Sequence, residues 1–247
     1  MVRRALFLAV LLTSISMLSP GCSVKEDRGL CPAMLELQLP AGRGEVYVTL
    51  EGPEGEPVTH TAALQDEASQ VTYPVSRNRF MLVVSTVPWE DNLVASRDGE
   101  EYPELYVYRT VVQLEGDALV VTPELRKEFC RLEVTIAPQQ AVPSMEVSGA
   151  WFGQYRDGGL APGLFRAEAV SGSTVCVPRQ GDTSLMLDIF YGNLTRSFAL
   201  GEYMAEAGYD WEATSLEDIS VKIDFVSSQI QLVGSAWSRI FPIKIVL

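Results

Sequence analysis

The sequence is poor in the residues that most enzymes and metal sites use. It has one histidine, His60, and four cysteines, and no two cysteines have the C-x-x-C spacing of a zinc site or a thioredoxin-like motif. It also lacks a Gly-x-Ser-x-Gly elbow and a phosphate-binding P-loop. We therefore predict no enzymatic activity, no metal and no other cofactor.

Basic residues are also scarce, and they form no cluster. Lys and Arg number 19 against 32 Asp and Glu, which gives a net charge of −13. A nucleic-acid-binding face needs Lys and Arg concentrated on one side, so this balance excludes nucleic acid as a partner. With 47% hydrophobic residues the chain is nevertheless too apolar to be disordered, and we expect it to bury a core.

Long apolar runs are confined to the N-terminus. Two arginines precede the apolar run 5–18, and a Ser-Pro-Gly-Cys sequence closes it. As a helix this run would be about 21 Å long, short of the ~30 Å hydrocarbon core, which favours a secretory signal over a membrane span. Because Cys22 directly follows Gly21, the segment resembles a bacterial lipoprotein signal, and we predict a signal peptide over residues 1–21.

A lipid on Cys22 would attach the mature chain to a membrane. Diacylglycerol and an amide-linked acyl chain together exceed the weak hold of a single chain. The tether 22–32 carries Lys25, Glu26 and Asp27, which resemble the signal that moves lipoproteins to the cell exterior in Bacteroidetes-type bacteria. The alternative is a plain solvated tether. We predict a lipid-anchored protein of the outer membrane that faces the exterior.

Helical periodicity is nearly absent from the rest of the chain. From Cys31 onward, short runs alternate apolar and polar residues and end in Gly, Pro, Asn or Asp, which is typical of antiparallel strands. The runs recur at about 8–12 residues in two sets of about seven, which predicts two β-sandwiches. We place the N-terminal sandwich at 33–128 and the C-terminal sandwich at 129–247, with one short helix at 201–208.

Both ends of the chain resemble the anchor subunits of Bacteroidetes-type fimbriae, which are related to fimbrillins. The N-terminal match is Cys22 with its short acidic tether and then Cys31-Pro32. The C-terminal match covers 200–203, 208–211, 216–219, 221–224 and Trp237. The resemblance implies an all-β fold of two tandem antiparallel transthyretin-like β-sandwich domains, and none of its motifs is a catalytic signature.

The resemblance also implies a function in fimbria assembly and adhesion. Such subunits assemble by strand addition, in which a neighbour's extended segment completes an open sandwich through main-chain hydrogen bonds and alternate apolar side chains. We therefore expect the N-terminal domain to accept a strand from a fimbrial shaft or accessory subunit. The lipid on Cys22 would hold the fibre in the outer membrane.

Two features of the sequence leave alternatives open. A Cys31–Cys130 disulfide is one arrangement, but Cys130 and Cys176 lie in β-like runs where a small buried hydrophobe is the commoner explanation. The apolar tail 238–247 is either the last strand of the second sandwich, which we favour, or a strand donated to another subunit. Left exposed, it would be an aggregation hazard.

The alternative function is glycan binding by an outer-membrane lipoprotein of a polysaccharide-utilisation system. Sugar sites use exposed aromatic rings beside carboxylates or amides, and Trp89, Trp151 and Trp211 have such neighbours in the sequence. A Trp beside a turn is more often packed at the edge of a core. His60 lies in an alternating run, and we expect it on the solvent face, with no identifiable partner for a general base.

Overall fold

The computed structural model describes residues 32–53, 55–137 and 143–244. These ranges form eighteen strands and one helix, which confirms the predicted all-β class with one short late helix. The described residues include no helix with the length and the apolar composition that crossing a membrane requires. The signal peptide, Cys22, the Lys25-Glu26-Asp27 segment and Cys31 lie outside the described residues.

Nine strands precede residue 128 and nine follow it. The first nine are β1 (Ala33–Leu39), β2 (Glu45–Glu51), β3 (Val58–Ala63), β4 (Ser69–Val75), β5 (Arg79–Ser85), β6 (Leu93–Ala95), β7 (Tyr106–Gln113), β8 (Ala118–Val121) and β9 (Arg126–Lys127). The others are β10 (Phe129–Ala137), β11 (Ser144–Tyr155), β12 (Leu160–Val170), β13 (Thr174–Pro178), β14 (Met186–Tyr191), β15 (Leu194–Phe198), β16 (Ile219–Asp224), β17 (Gln229–Val233) and β18 (Ser238–Pro242). The helix α1 (Leu200–Ala207) lies between β15 and β16.

The first half is a sandwich of unequal sheets. One sheet has three strands in the order β4-β1-β8, and the other has five in the order β3-β2-β5-β7-β9. Alternate side chains of the central strands fill the space between the sheets, as the period-two pattern predicts. Fully buried members of this core are Leu35, Leu37, Val46, Val48, Leu82 and Val84.

The second half packs a sheet of order β13-β10-β16-β17-β18 against one of order β12-β11-β14-β15, with β6 added beside β11. Its core also takes in five buried residues of the first half, which are Val83, Val94, Tyr102, Leu105 and Val107. Val83 and Val107 lie on the face of β5 and β7 that points away from the first core. The second half therefore covers part of the outer face of the five-stranded sheet, while Val111 on the same face stays 54% exposed. The predicted domain boundary near residue 128 stays a prediction.

Both halves repeat one pairing pattern. β1 pairs antiparallel with β4 and parallel with β8, just as β10 pairs antiparallel with β13 and parallel with β16. The facing sheets correspond as well, with β2-β3, β2-β5 and β5-β7 matching β11-β12, β11-β14 and β14-β15. The two parallel pairs depart from the predicted antiparallel sandwiches, because alternation identifies a strand but not the direction of its neighbour.

The helix α1 closes one flank of the second half. It begins one residue before the predicted start and ends at Gly208, whose φ of 87° suits the left-handed C-cap. Leu200, Tyr203 and Met204 are its buried core contacts. The Tyr203 hydroxyl accepts a hydrogen bond from the Lys244 backbone N–H at 2.6 Å, which fixes the chain just after β18.

The described part of the apolar tail is an internal strand. β18 pairs antiparallel with β17, and Phe241 is buried against the second core. The preceding turn is held by Glu217, which accepts hydrogen bonds from Ser235 and, at 2.8 Å, from the Trp237 indole. These donors lower the pKa of Glu217, with the Ser235 side chain as the largest cause. The interpretation favoured from the sequence is confirmed for Ser238–Pro242.

A buried polar group joins the two halves, and we call Arg109, Glu128, Gln154 and Arg179 the junction cluster. Glu128 lies between β9 and β10 and is only 7% exposed. It accepts a hydrogen bond from Arg179 Nε at 2.8 Å and forms an ion pair with Arg109 Nη1 at 3.4 Å. Arg109 Nη2 also donates to Gln154 Oε1 at 2.8 Å. The cluster thus connects β7 of the first half to the β9–β10 connection, to β11 and to the loop after β13.

Candidate functional site

The candidate site is an unprotected strand edge in the first half. β8 has β1 on one side and no neighbour on the other among the described residues. We define the β8 edge as this free side of Ala118–Val121 together with the partly buried side chains of Tyr108 and Leu125, which border the same core. A free edge presents unpaired backbone N–H and C=O groups, which can pair with another chain.

The composition of the β8 edge favours pairing. Its four residues are Ala-Leu-Val-Val, with no charge and no proline, and Val120 is 51% exposed on the outer face. Natural edge strands are usually blunted by Lys, Pro, a bulge or a covering segment. None of these devices occurs within β8 itself, so the strand has no built-in protection against pairing with another chain.

Other edges of the described structure carry such protection. Pro74 in β4 has no N–H to donate, and Pro162 and register shifts interrupt the β11-β12 pair. The edge strand β13 is covered by a loop from the first half: the Tyr102 N–H donates to the Cys176 carbonyl at 2.9 Å, and the Cys176 N–H donates to Glu101 at 3.0 Å. The β8 edge has no comparable protection among the described residues.

The second half shows what would occupy the equivalent position. Leu119 and Val121 pair with Leu35 and Leu37 of β1, just as Ile219 and Val221 pair with Leu132 and Val134 of β10. Beside β16 lies β17, whose Ile230 and Leu232 are fully buried. Ile219 and Val221 are accordingly 2% and 1% exposed, whereas Leu119 and Val121 are only partly buried. Among its described residues the first half thus has no counterpart of β17.

A second opening lies on the opposite flank, between β3 and β4. A cavity of about 610 Å³ is found there, with Leu50, Val58, Val75 and Phe80 among its lining residues. Further along this flank the rings of His60 and Tyr73 stack at 4.6 Å between their centroids, so aromatic side chains join the two edge strands.

The position of His60 corrects the prediction that it faces solvent. His60 is in register with Val48, a fully buried core residue, and therefore points to the inner face of the sheet. Its neighbours Thr59 and Thr61 are exposed, whereas Ala62, on the same face as His60, is buried. Thr59 and Thr61 lie on one face of the run and His60 on the other, so both faces carry polar residues. Alternation alone therefore does not identify the inner face.

The three candidate sugar-binding tryptophans each have a structural partner. The Trp89 indole donates to Ser85 Oγ at 3.0 Å, and the Arg109 guanidinium lies over its ring. Trp211 packs edge-on against Tyr209 with ring centroids 4.8 Å apart. The Trp151 ring lies directly against the backbone of Gly181, where an added Cβ would be 2.8 Å from it. All three rings are partly buried, and glycan binding stays a prediction.

Neither described cysteine has the environment of a reactive thiol. Cys130 and Cys176 are buried and free, and burial raises the pKa of each to about 12. Because Cys31 lies outside the described residues, the Cys31–Cys130 disulfide stays a prediction. Within the described residues no group of three or more His, Cys, Asp or Glu side chains is arranged as metal ligands.

Comparison with known proteins identifies the fold through structure. No protein-family model matches the sequence. No curated protein matches it in sequence. The fimbrial anchor protein Mfa2 from Porphyromonas gingivalis is similar with a TM-score of 0.59 at 10% identity, over 84% of this chain and 99% of that one.

Two further structures are similar over most of their length. A fimbrial assembly protein from Parabacteroides distasonis has a TM-score of 0.50 at 10% identity, over 85% of this chain and 99% of that one. A candidate polysaccharide-binding protein from Bacteroides thetaiotaomicron has a TM-score of 0.56 at 10% identity, over 87% and 98%. The chain therefore has the fold found in a fimbrial anchor, in agreement with the resemblance noted at its two ends.

Proposed function

We propose that this chain is a cell-surface lipoprotein that anchors a fimbria to the outer membrane by accepting an extended segment of a neighbouring subunit at the β8 edge. The observation that carries the proposal is the position beside β8, which no described residue occupies and which corresponds to the position of β17 in the other half. The fold shared with a fimbrial anchor and a fimbrial assembly protein supports the fimbrial role.

Strand addition at this edge needs no reactive group. The incoming backbone would pair with the free N–H and C=O groups of β8, and its inward side chains would cover Leu119 and Val121. Burying an aliphatic side chain contributes about 1.5–3 kcal/mol, and each net hydrogen bond about 1 kcal/mol. A short apolar strand thus gains enough free energy for specific binding while the rest of the donor subunit remains outside.

We propose that a lipid on Cys22 would lie away from the second half, and the chain direction supports this. β1 begins at Ala33, which pairs with Val75 at the end of the sandwich where Arg79 pairs with Gln113. The chain enters the second half near Arg126, which pairs with Val107 at the opposite end of β7. A tether from Cys22 would therefore hold the first half near the membrane, and its acidic surface would be repelled from anionic lipid.

The glycan-binding alternative is favoured by one observation, the shared fold of a candidate polysaccharide-binding protein. The packing of Trp89, Trp151 and Trp211 does not favour it, because a partly buried ring that packs against protein atoms offers less of its face to a sugar ring. We therefore keep glycan binding as the second candidate.

One experiment with two arms separates these functions. In the first arm, the chain from residue 23 onward is mixed in solution with the fimbrial shaft subunit of the same cells. In the second arm, it is run through native gels that contain common polysaccharides. We expect a stable complex with the subunit and no retardation by polysaccharide. The opposite result is retardation by a polysaccharide that Trp151→Ala abolishes, together with no subunit complex. This result would contradict the anchor function and support glycan binding.

A further inference from the structure

The second half of the chain specifies the direction and the side-chain pattern of the strand that β8 accepts. We infer that the incoming strand runs antiparallel to β8 and carries two aliphatic side chains, two residues apart, that point inward beside Leu119 and Val121. This inference rests on the proposed function, since it concerns the same edge. It adds the chemistry of the partner segment.

The direction follows from the repeated pairing pattern. β17 runs antiparallel to β16, so that Gln229 at its start pairs with Asp224 at the end of β16. β16 and β8 occupy equivalent positions, each parallel to the first strand of its half. A strand that takes the place of β17 beside β8 would therefore have its N-terminal end towards Thr122 and its C-terminal end towards Gly116.

The side-chain pattern follows from which residues of β17 are buried. Ile230 and Leu232 point into the second core with no exposed surface, whereas Gln229 and Val233 are exposed. In the first half Leu119 and Val121 point inward and Ala118 and Val120 point outward. Because successive strand residues alternate between faces, only an i, i+2 aliphatic pair places both side chains over Leu119 and Val121.

The geometry at the two ends of β8 fits this direction. Pro123 is buried immediately after the strand, so the incoming strand meets a fixed turn at the Thr122 end. At the other end Arg77 and Asp117 form an ion pair beside the start of β8, with the Asp117 side chain largely exposed. A strand that leaves past Gly116 passes this exposed end and reaches solvent at the end of the sandwich where β1 begins.

Site-directed disulfide cross-linking reads the direction. The probe is a peptide that copies residues 227–234, with a cysteine added at either its N-terminal or its C-terminal end. The protein is residues 23–247 with Cys31→Ser, carrying either Thr122→Cys or Gly116→Cys. Cys130 and Cys176 are buried, with pKa values raised to about 12, and do not compete for the probe.

We expect the N-terminal probe cysteine to link to position 122 and the C-terminal one to position 116. The yield of the two opposite cross-links should be at least about tenfold lower, because the two cysteines of each opposite pair would lie a full strand apart. The probe version of Leu232→Asp should lose cross-linking at least about tenfold, because it would place a carboxylate over Leu119 and Val121. Gln231→Asp in the probe is the matched outward control, with less than about twofold change.

The outcomes separate the inference from the proposed function. The reversed pattern of cross-links would show a parallel strand and overturn the inference while leaving strand acceptance intact. Equal cross-linking in all four combinations, or equal loss with Leu232→Asp and Gln231→Asp, would also overturn it. No cross-link at either position would show that the β8 edge takes no strand, and the proposed function would lose its mechanism.

Discussion

Leu119→Asp is expected to weaken capture of the fimbrial shaft subunit by at least about 100-fold, because an unpaired carboxylate buried under the incoming strand costs about 3 kcal/mol or more. In the free protein the same side chain is only partly buried at the open flank, so the carboxylate can reach water. The variant should therefore fold, with a modest loss of thermal stability. The measurement is the dissociation constant of the complex by calorimetry or surface binding.

Val71→Asp is the matched control for this substitution. Val71 also belongs to the three-stranded sheet, points inward, and is partly buried, but it lies on β4, at the opposite edge. We expect a similar loss of stability and less than about a threefold change in subunit binding, since no incoming strand covers it. Equal losses of binding in both variants, or a loss only in Val71→Asp, would contradict acceptance at the β8 edge.

Glu128→Ala is expected to destabilise the protein by about 3–5 kcal/mol, because it leaves the Arg109 and Arg179 guanidinium groups buried without their shared carboxylate. For a chain of this length such a loss lowers the midpoint of thermal unfolding by roughly 10 °C or more. Because the junction cluster links the two halves, the contact between them should also become less stable. Thermal unfolding followed by circular dichroism measures the shift.

Glu104→Ala serves as the comparison for the junction cluster. Glu104 pairs with Arg131 at 2.7 Å, but both side chains are substantially exposed, and such pairs contribute about 0–1 kcal/mol. We expect a shift of no more than about 3 °C in the unfolding midpoint. If Glu104→Ala and Glu128→Ala lowered it equally, the burial of Glu128 would not be the source of its stabilising effect.

Much of the fold could be predicted because each local pattern has one structural consequence. Alternation in runs such as Met34 to Leu39 identifies strands, since every second side chain must reach a core. The helix-forming residues before Gly208 identify α1, and Gly208 identifies its end, because glycine adopts the left-handed cap conformation without strain. The tail was placed correctly as an internal strand, since an apolar strand needs a neighbour.

The parts that could not be predicted depend on which strands become neighbours. The parallel partners β1-β8 and β10-β16 are about 80 residues apart in sequence, and alternation carries no information on such pairing. His60 was assigned to the wrong face because its run contains Thr on one face and Ala and His on the other. The junction cluster brings together Arg109 and Arg179 from distant segments, and neither has a local motif.

The β8 edge illustrates the same limit at the candidate site. The sequence identifies Ala118 to Val121 as a strand, and the fimbrial resemblance implies an acceptor groove in the first half. Neither shows that β8 has only one neighbour among the described residues, because this is recognised only when the sheets of the two halves are compared. The free β8 edge is thus a property of topology and not of any residue pattern.

Hydrogen–deuterium exchange of the β8 amides tests the central claim most directly. In the free protein about half of the Ala118–Val121 N–H groups point away from β1 and should exchange quickly, since a parallel pair bonds alternate residues. Addition of the fimbrial shaft subunit is predicted to slow these amides by at least about tenfold, with β3 and β4 unchanged. Protection of β3 or β4 with no change in β8 would contradict the account.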